Sequence, residues 1–234
     1  MHWDAIWNRA RADLVITTEQ GGEDLILWEH SVRVSETARQ IARLPEVQAA
    51  SPDETAIVTA ALYHDAGWVA RLRDGEIHRG EILCRLKSEA HREHGALMLE
   101  HALGELLPRD TLQRASGAIR TLKNRRIESV EGQIITEADN LDELGVLSLW
   151  SSIRRGVTEG KGVQAVIDTW RRRKEYRFWE AHLKDSFRFA PVRAVAEKRL
   201  EQLERLMREL EGQHTGADIV LGLEPSSTVS GPGK

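Results

Sequence analysis

The apolar positions along this chain recur at intervals of three and four residues, which is the spacing of an amphipathic α-helix. Such stretches follow one another from Trp3 to Leu210, and short polar or glycine-containing connections separate them. A succession of short alternating segments, which would indicate strands, is not found. The pattern therefore predicts an all-α protein with helices over 3–15, 25–44, 51–67, 88–107, 111–126, 129–150, from 163 onward, and over 192–210.

These elements indicate a single domain in the middle of the chain. Residues 1–24 are expected to form a helix and a loop that pack on it, and residues 25–211 the helical domain itself. Residues 212–234 are predicted to be a flexible tail, because a small, polar composition cannot bury enough apolar surface to fold. Segment 151–162 is the best candidate for an internal linker, and segment 69–82 reads as a loop.

Composition and charge narrow the class of protein. The chain is 41% hydrophobic and 30% charged with a formal net charge of −4, which argues against a dedicated nucleic-acid binder. The basic run RRRK at 171–174 is accordingly expected on a solvated helix face. The single cysteine, Cys84, excludes an intrachain disulfide, and no apolar run approaches the roughly 18 residues of a membrane span. Together these features predict a soluble, cytoplasmic protein with no membrane partner.

Several polar residues interrupt the apolar stripes of the predicted helices. They are His30, His64, Asp65, His91 and Asp139, and the periodicity places each of them on or beside an inward face. Burying unpaired carboxylates and imidazoles would cost several kcal/mol, so the group needs a cation or hydrogen-bond partners. A polar core satisfied by hydrogen bonds is one interpretation, and a metal site is the other.

The donor types indicate which metal such a site would prefer. Three imidazoles and two carboxylates suit Mn²⁺, Mg²⁺, Fe²⁺, Co²⁺ or Ni²⁺, and zinc is a weaker candidate because no cysteine ligand is available. A divalent ion in this setting polarises a phosphoryl oxygen and brings the pKa of a bound water toward neutrality. A metal in such a site would therefore be suited to the hydrolysis of a phosphate compound.

The order of these residues resembles the HD superfamily of metal-dependent phosphohydrolases, in which the ligands follow as H…HD…D. WEHSVRVSETARQIA resembles the segment of its first ligand, and TAALYHDAGW resembles the motif that names the family. HREHGALMLE and TEADNLDELG are similar to two later family segments, and SFRFAPVRAVAEKRLEQLERLM is similar to the closing helix of small, stand-alone members. The resemblance extends over about residues 25–210.

The resemblance implies an all-helical bundle around a central metal site and a role for each matched residue. The implied ligands are His30, His64, Asp65 and Asp139; Asp65 would also orient the attacking water. His91 would bind phosphate or act as an acid or base, and Arg71, Arg73 and Lys123 are the expected phosphate clamps. Leu122 stands where many dinuclear members carry a histidine, so a complete second metal site is not expected.

The segment after the His-Asp pair, Ala66-Gly67-Trp68, lacks the acidic pair of guanosine-tetraphosphate hydrolases and the Gly-Lys of cyclic-di-GMP phosphodiesterases. We therefore expect a phosphohydrolase that acts on a nucleotide or a similar small phosphate ester or anhydride. Two alternatives remain: a diiron-type oxygenase on the same scaffold, and a metal- or nucleotide-binding sensor with little turnover. The expected partner is a small-molecule phosphate, and a homodimer is left open.

Overall fold

The computed structural model of the protein describes residues 2–84, 87–122, 127 and 129–219. Within these residues the chain is helical, which confirms the all-α prediction. The helices are α1 Trp3–Leu14, α2 Ile26–Ala42, α3 Pro45–Gln48, α4 Glu54–Tyr63, α5 Gly67–Arg73, α6 Glu89–Leu103, α7 Arg109–Thr121, α8 Val130–Asp142, α9 Val146–Thr158, α10 Val163–Glu175, α11 Phe178–Ser186 and α12 Ala190–Thr215. A 3₁₀ turn occupies Arg79–Glu81.

The connection between α1 and α2 contains a small hairpin that the sequence pattern did not show. Its strands are β1 Ile16–Thr17 and β2 Glu23–Asp24, paired antiparallel with Ile16 opposite Asp24. Strands of two residues are too short to give an alternating pattern, which explains why the segment reads as a loop.

Helix α4 is the centre of the bundle. Every residue from Ala56 to Tyr63 is buried, and α4 contacts α2, α6, α7 and α8. The helix is apolar all round, as expected for a helix enclosed by other helices. Its C-terminus therefore delivers the residues that follow it, His64 and Asp65, into the interior of the domain.

Both ends of α4 differ from the prediction. The N-cap is Asp53, whose Oδ1 accepts a hydrogen bond from the Ala56 N–H at 3.0 Å, rather than Ser51. The helix ends at Tyr63, and Gly67 begins α5 instead of stopping α4. A Cβ atom at Gly67 would lie 2.1 Å from the carbonyl oxygen of His91, so this glycine permits the close contact of α5 with α6.

The C-terminal helices also depart from the prediction. The expected helix over 129–150 is divided at Gly145, which has a φ of +85° and ends the continuous helical path between α8 and α9. Segment 151–162, expected as a linker, instead belongs largely to α9. Helix α12 packs against the preceding helices through Val192, Ala196, Leu203 and Met207, all of them buried.

An ion-pair cluster joins α9 to the body of the domain. The buried Asp24 carboxylate accepts two hydrogen bonds from Arg154, at 3.0 and 2.6 Å, and a third from Arg79 at 2.9 Å. Arg154 also donates to the carbonyl oxygen of Arg79 at 3.0 Å. These contacts fix α9 beside the hairpin and the 3₁₀ turn. None of the helices described here has the length and apolarity that crossing a membrane requires.

Candidate metal centre

Four side chains predicted as metal ligands meet at the C-terminal end of α4. His30 comes from the middle of α2, His64 and Asp65 follow α4 directly, and Asp139 comes from α8. All four are buried. Because α4 contacts both α2 and α8, the end of α4 brings residues that are far apart in sequence to one point.

Five of the six separations among the donor atoms lie between 3.3 and 3.6 Å. His30 Nε2 is 3.3 Å from His64 Nε2, and it is 3.5 Å from both Asp65 Oδ2 and Asp139 Oδ1. His64 Nε2 is 3.6 Å from Asp65 Oδ2 and 3.5 Å from Asp139 Oδ1. Metal–ligand bonds of about 2.0–2.2 Å place neighbouring donors roughly 3–3.5 Å apart. The four residues therefore fit a divalent metal ion.

Hydrogen bonds orient both imidazoles toward this centre. His30 Nδ1 lies 2.8 Å from Asp142 Oδ2, and His64 Nδ1 lies 2.7 Å from the Ala61 carbonyl oxygen. A proton on each Nδ1 would leave each Nε2 with its lone pair facing the other donors, which is the usual arrangement around a metal-binding histidine. Arg33 holds the other side of Asp142 with hydrogen bonds of 2.8 and 3.0 Å.

Neighbouring charges at the centre shift the pKa of His30 and of Asp65. Burial alone would lower the pKa of His30, but the surrounding carboxylates of Asp139, Asp142 and Asp65 raise it well above its usual range. Burial alone would raise the pKa of Asp65, but the neighbouring imidazoles and the Lys87 ammonium hold it well below its usual range. The Asp65 carboxyl group is thus ionised, as a metal ligand must be.

Lys87 is a component of this centre that sequence reasoning missed. Its ammonium lies 2.9 Å from Asp65 Oδ2 and 3.0 Å from Asp139 Oδ2. Burial alone would lower the pKa of Lys87, but the two carboxylates raise it, so the side chain remains a cation. Lys87 precedes the Ser88 N-cap of α6 and lies outside any helix, where helical periodicity carries no signal.

His91 reaches the centre from the first turn of α6, as predicted. Its Nε2 lies 3.3 Å from Asp65 Oδ1, and its ring packs edge-on against Trp68 with ring centroids 4.6 Å apart. Asp65 therefore has one oxygen toward the other ligands and one toward His91. His101, on the same helix, is exposed.

The predicted phosphate clamps differ in their positions. Arg71 lines the cavity described below, where it forms an ion pair with Glu76 at 3.1 Å and lies over the Trp68 ring. Arg73 is exposed at the end of α5, and it is not among the described residues that line the cavity. Its expected contact with substrate phosphate therefore has no support in the geometry. Lys123 lies outside the described residues.

A cavity of about 720 Å³ opens beside the donor atoms. His30, Asp139 and Lys87 line it on the side of the metal centre. Helices α9, α10 and α11 line much of the remaining wall, with cationic and aromatic side chains that the sequence pattern did not associate with the site: Arg155, Arg173, Phe178, Trp179 and His182. The centre therefore lies at one side of a space large enough for a small-molecule ligand.

The fold and the cluster define an all-α protein with a buried His/Asp cluster that could hold a metal ion. The sequence profile of the HD domain matches residues 27–144, about half of the chain, and the protein belongs to the HD-domain family. The resemblance to the HD superfamily noted in the sequence is thereby confirmed. No curated protein matches the sequence significantly.

Solved structures show the same fold. A predicted HD superfamily hydrolase from an uncultured Thermotogales bacterium is 20% identical, with a TM-score of 0.55 and coverage of 91% of this chain and 92% of that chain. Bacillus subtilis YpgQ is 20% identical, with a TM-score of 0.57 and coverage of 91% and 97%. YpgQ in complex with ADP is 19% identical over this alignment, with a TM-score of 0.56 and coverage of 90% and 96%.

Proposed function

We propose that this protein is a metal-dependent phosphohydrolase that acts on a nucleotide or a similar small phosphate ester or anhydride. One observation supports this most strongly: four buried N and O donors converge beside a cavity lined by several cations. Donors of this kind select a hard or borderline divalent ion, and cationic walls attract phosphate. Mn²⁺, Mg²⁺, Fe²⁺, Co²⁺ and Ni²⁺ are the candidates, with zinc a weaker one.

The side chains at the centre have separate roles in the proposed reaction. A divalent ion, when bound, acidifies a water and withdraws charge from a phosphoryl oxygen. In the proposal His30, His64, Asp65 and Asp139 hold that ion. Asp65 also accepts a hydrogen bond from the attacking water and orients it.

His91 and the cations of the cavity act on the substrate. The position of His91 at the edge of the centre, 3.3 Å from Asp65, suits a contact with phosphate or a proton transfer to the leaving oxygen. Lys87 and Arg71 offer donors to the non-bridging phosphate oxygens. Lys123 remains a candidate for the same role on the resemblance alone.

The aromatic wall of the cavity favours a nucleotide among small phosphates. Phe178 and His182 stack with ring planes 11° apart and centroids 5.6 Å apart, and both line the cavity. Flat rings of this kind offer a surface on which a base can stack. The complex of YpgQ with ADP shows that a nucleotide can bind to a protein of this fold.

The test pairs metal analysis of the purified protein with phosphate release. A panel of nucleotides and simple phosphate esters is assayed with each candidate ion, using wild type, His64→Ala and, as a matched control, the exposed His101→Ala. We expect His64→Ala alone to lose both bound metal and hydrolysis. Retention of both in His64→Ala would contradict the proposal.

Two other results of the same experiment would favour the alternatives. Bound metal and tight nucleotide binding without phosphate release would indicate a sensor. Substrate consumption that stops when oxygen is removed would indicate an oxygenase.

A further inference from the structure

The cavity has a second half that lies beyond the segment matched by the HD-domain profile. The profile ends at residue 144, whereas α9, α10 and α11 contribute Arg155, Arg173 and Phe178 to the cavity wall. These helices supply side chains to the cavity wall but none of the four candidate metal-binding residues. They are therefore the place to look for residues that select the substrate.

Among the described residues, four cationic side chains line the cavity, and three of them have a carboxylate partner. Lys87 is paired with Asp65 and Asp139, Arg71 with Glu76 at 3.1 Å, and Arg155 with Glu159 at 3.0 Å. Arg173 differs. Among the described residues, no carboxylate oxygen lies within 4.0 Å of its guanidinium.

Aromatic rings rather than carboxylates hold Arg173 in place. Its guanidinium carbon lies 5.2 Å from the centroid of the Phe178 ring and 5.4 Å from that of Trp179. Both rings belong to α11 and line the cavity with it. Such contacts fix the orientation of a guanidinium without using its N–H donors.

The environment of Arg173 also disfavours its positive charge. The side chain is half-buried, and burial lowers the pKa of Arg173 although the longer-range charge of Glu143 opposes this effect. A partly desolvated cation that faces a cavity is stabilised when an anion enters and pairs with it. The planar fork of a guanidinium matches the oxygens of a phosphate group with two parallel hydrogen bonds.

We propose that Arg173 is a specificity-determining residue that binds a second phosphate group, distal to the one at the metal centre. The substrate class is then a compound with at least two linked phosphates, such as a nucleoside diphosphate or triphosphate or an inorganic oligophosphate, rather than a monoester. This inference rests on the proposed phosphohydrolase function, because it places the first phosphate at the centre.

Two probes that cannot be hydrolysed test the proposal by calorimetric titration of the protein as purified. Methylenediphosphonate carries two linked phosphonate groups, and methylphosphonate carries one. We expect wild type to prefer methylenediphosphonate. Arg173→Gln should weaken its binding about tenfold or more, as for a lost charge-assisted hydrogen-bond pair, and weaken methylphosphonate binding less than about twofold.

The neighbouring Arg172 provides the matched control, because it is exposed on the same helix and Arg172→Gln removes the same charge. Three results would each overturn the proposal. Arg173→Gln could lose affinity equally for both probes, Arg172→Gln could lose as much affinity for methylenediphosphonate as Arg173→Gln does, or wild type could show no preference between the probes. If circular dichroism shows that Arg173→Gln is unfolded, Arg173→Lys replaces it in the test, because lysine keeps the charge but lacks the planar guanidinium. We expect Arg173→Lys to lose affinity selectively for methylenediphosphonate. Affinity equal to that of wild type would overturn the proposal.

The two proposals fail in distinguishable ways. A selective loss of methylenediphosphonate binding in Arg173→Gln, without phosphate release from any compound by wild type, would support the subsite and reject the hydrolase. Metal-dependent release together with an equal loss for both probes would support the hydrolase and reject the subsite.

Discussion

His30 Nδ1 and Asp142 Oδ2 lie 2.8 Å apart, and this contact determines how the first predicted ligand faces the centre. Asp142 is anchored in turn by two hydrogen bonds from Arg33. Burial alone would raise the pKa of Asp142, but the hydrogen bonds from His30 and Arg33 lower it to about 2. An ionised Asp142 holds a proton on His30 Nδ1, so that Nε2 is the ring nitrogen that faces the other donor atoms.

Asp142→Asn is therefore expected to weaken metal binding without removing a ligand. An amide can present its nitrogen to His30 and loses the charge that fixes the imidazole, and changes of this kind typically cost about 10- to 100-fold in metal affinity. Titration with Mn²⁺ measures the effect, with the exposed Asp185→Asn as the control. Wild-type affinity in Asp142→Asn would show that the contact does not orient His30.

Lys87 is expected to stabilise the protein most when no metal is bound. Lys87→Met leaves Asp65 and Asp139 without their ammonium partner, and breaking a buried ion pair costs about 3–5 kcal/mol. Urea denaturation with chelator should show a loss of this size, and saturating divalent metal should reduce it because the ion supplies the missing positive charge. A loss that metal does not reduce would contradict this account. Arg172→Met, which removes an exposed cation, should change the free energy of unfolding little.

The convergence of the four candidate ligands could be predicted because two independent signals agreed on them. Helical periodicity placed His30 and Asp139 on inward faces. The order of the motifs indicated that these two residues belong to the same site as His64 and Asp65. Neither signal depends on knowing how the helices pack. The burial of all four residues agrees with this prediction.

The other half of the cavity could not be predicted because it depends on packing. Arg173 lies within a run of four basic residues, and the expectation of a solvated face is met by the exposed Arg171, Arg172 and Lys174. Only the contact of α10 with α11 turns Arg173 inward. Segment 151–162 was predicted as a linker from its glycines, but propensity is a weak prior and Gly156 is buried within α9.

Gly67→Ala is expected to destabilise the fold. The added Cβ would lie 2.1 Å from the His91 carbonyl oxygen, which belongs to the backbone and cannot rotate away. Relief requires α5 to separate from α6, so we expect a loss of about 3 kcal/mol or more, at the upper end of overpacking effects. Metal affinity should fall as well, because the turn that carries His64 and Asp65 leads directly into Gly67.

Gly117→Ala is the control for this substitution. Gly117 lies within α7, and among the described residues no atom outside the neighbouring helix backbone lies within 4 Å of the position that its Cβ would take. Replacement of a helical glycine by alanine should stabilise the protein by about 0.5–1 kcal/mol. Thermal unfolding of both variants decides the point, and a Gly67→Ala protein as stable as wild type would refute the packing role assigned to Gly67.

The ion pairs of Asp24 should make the free energy of unfolding depend on pH. Burial alone would raise the pKa of Asp24, but Arg154, the Ile26 N–H and Arg79 lower it below its ordinary value of 3.8. A carboxyl group whose folded-state pKa is depressed contributes stability above its unfolded-state pKa and loses it as the pH falls through the folded-state pKa. Asp24→Asn should therefore be less stable than wild type at pH 7, by about 2 kcal/mol for charge-assisted hydrogen bonds. This difference should persist down to about pH 4 and shrink below it.

Urea denaturation of wild type, Asp24→Asn and the exposed control Asp74→Asn, at a series of pH values from 7 to 3, measures that difference directly. Because α9 carries Ser151 and Arg155 into the cavity wall, Asp24→Asn should also weaken the binding of methylenediphosphonate at neutral pH. A stability difference that stays constant down to pH 3, or that grows as the pH falls, would show that the Asp24 carboxylate does not hold α9 through its charge.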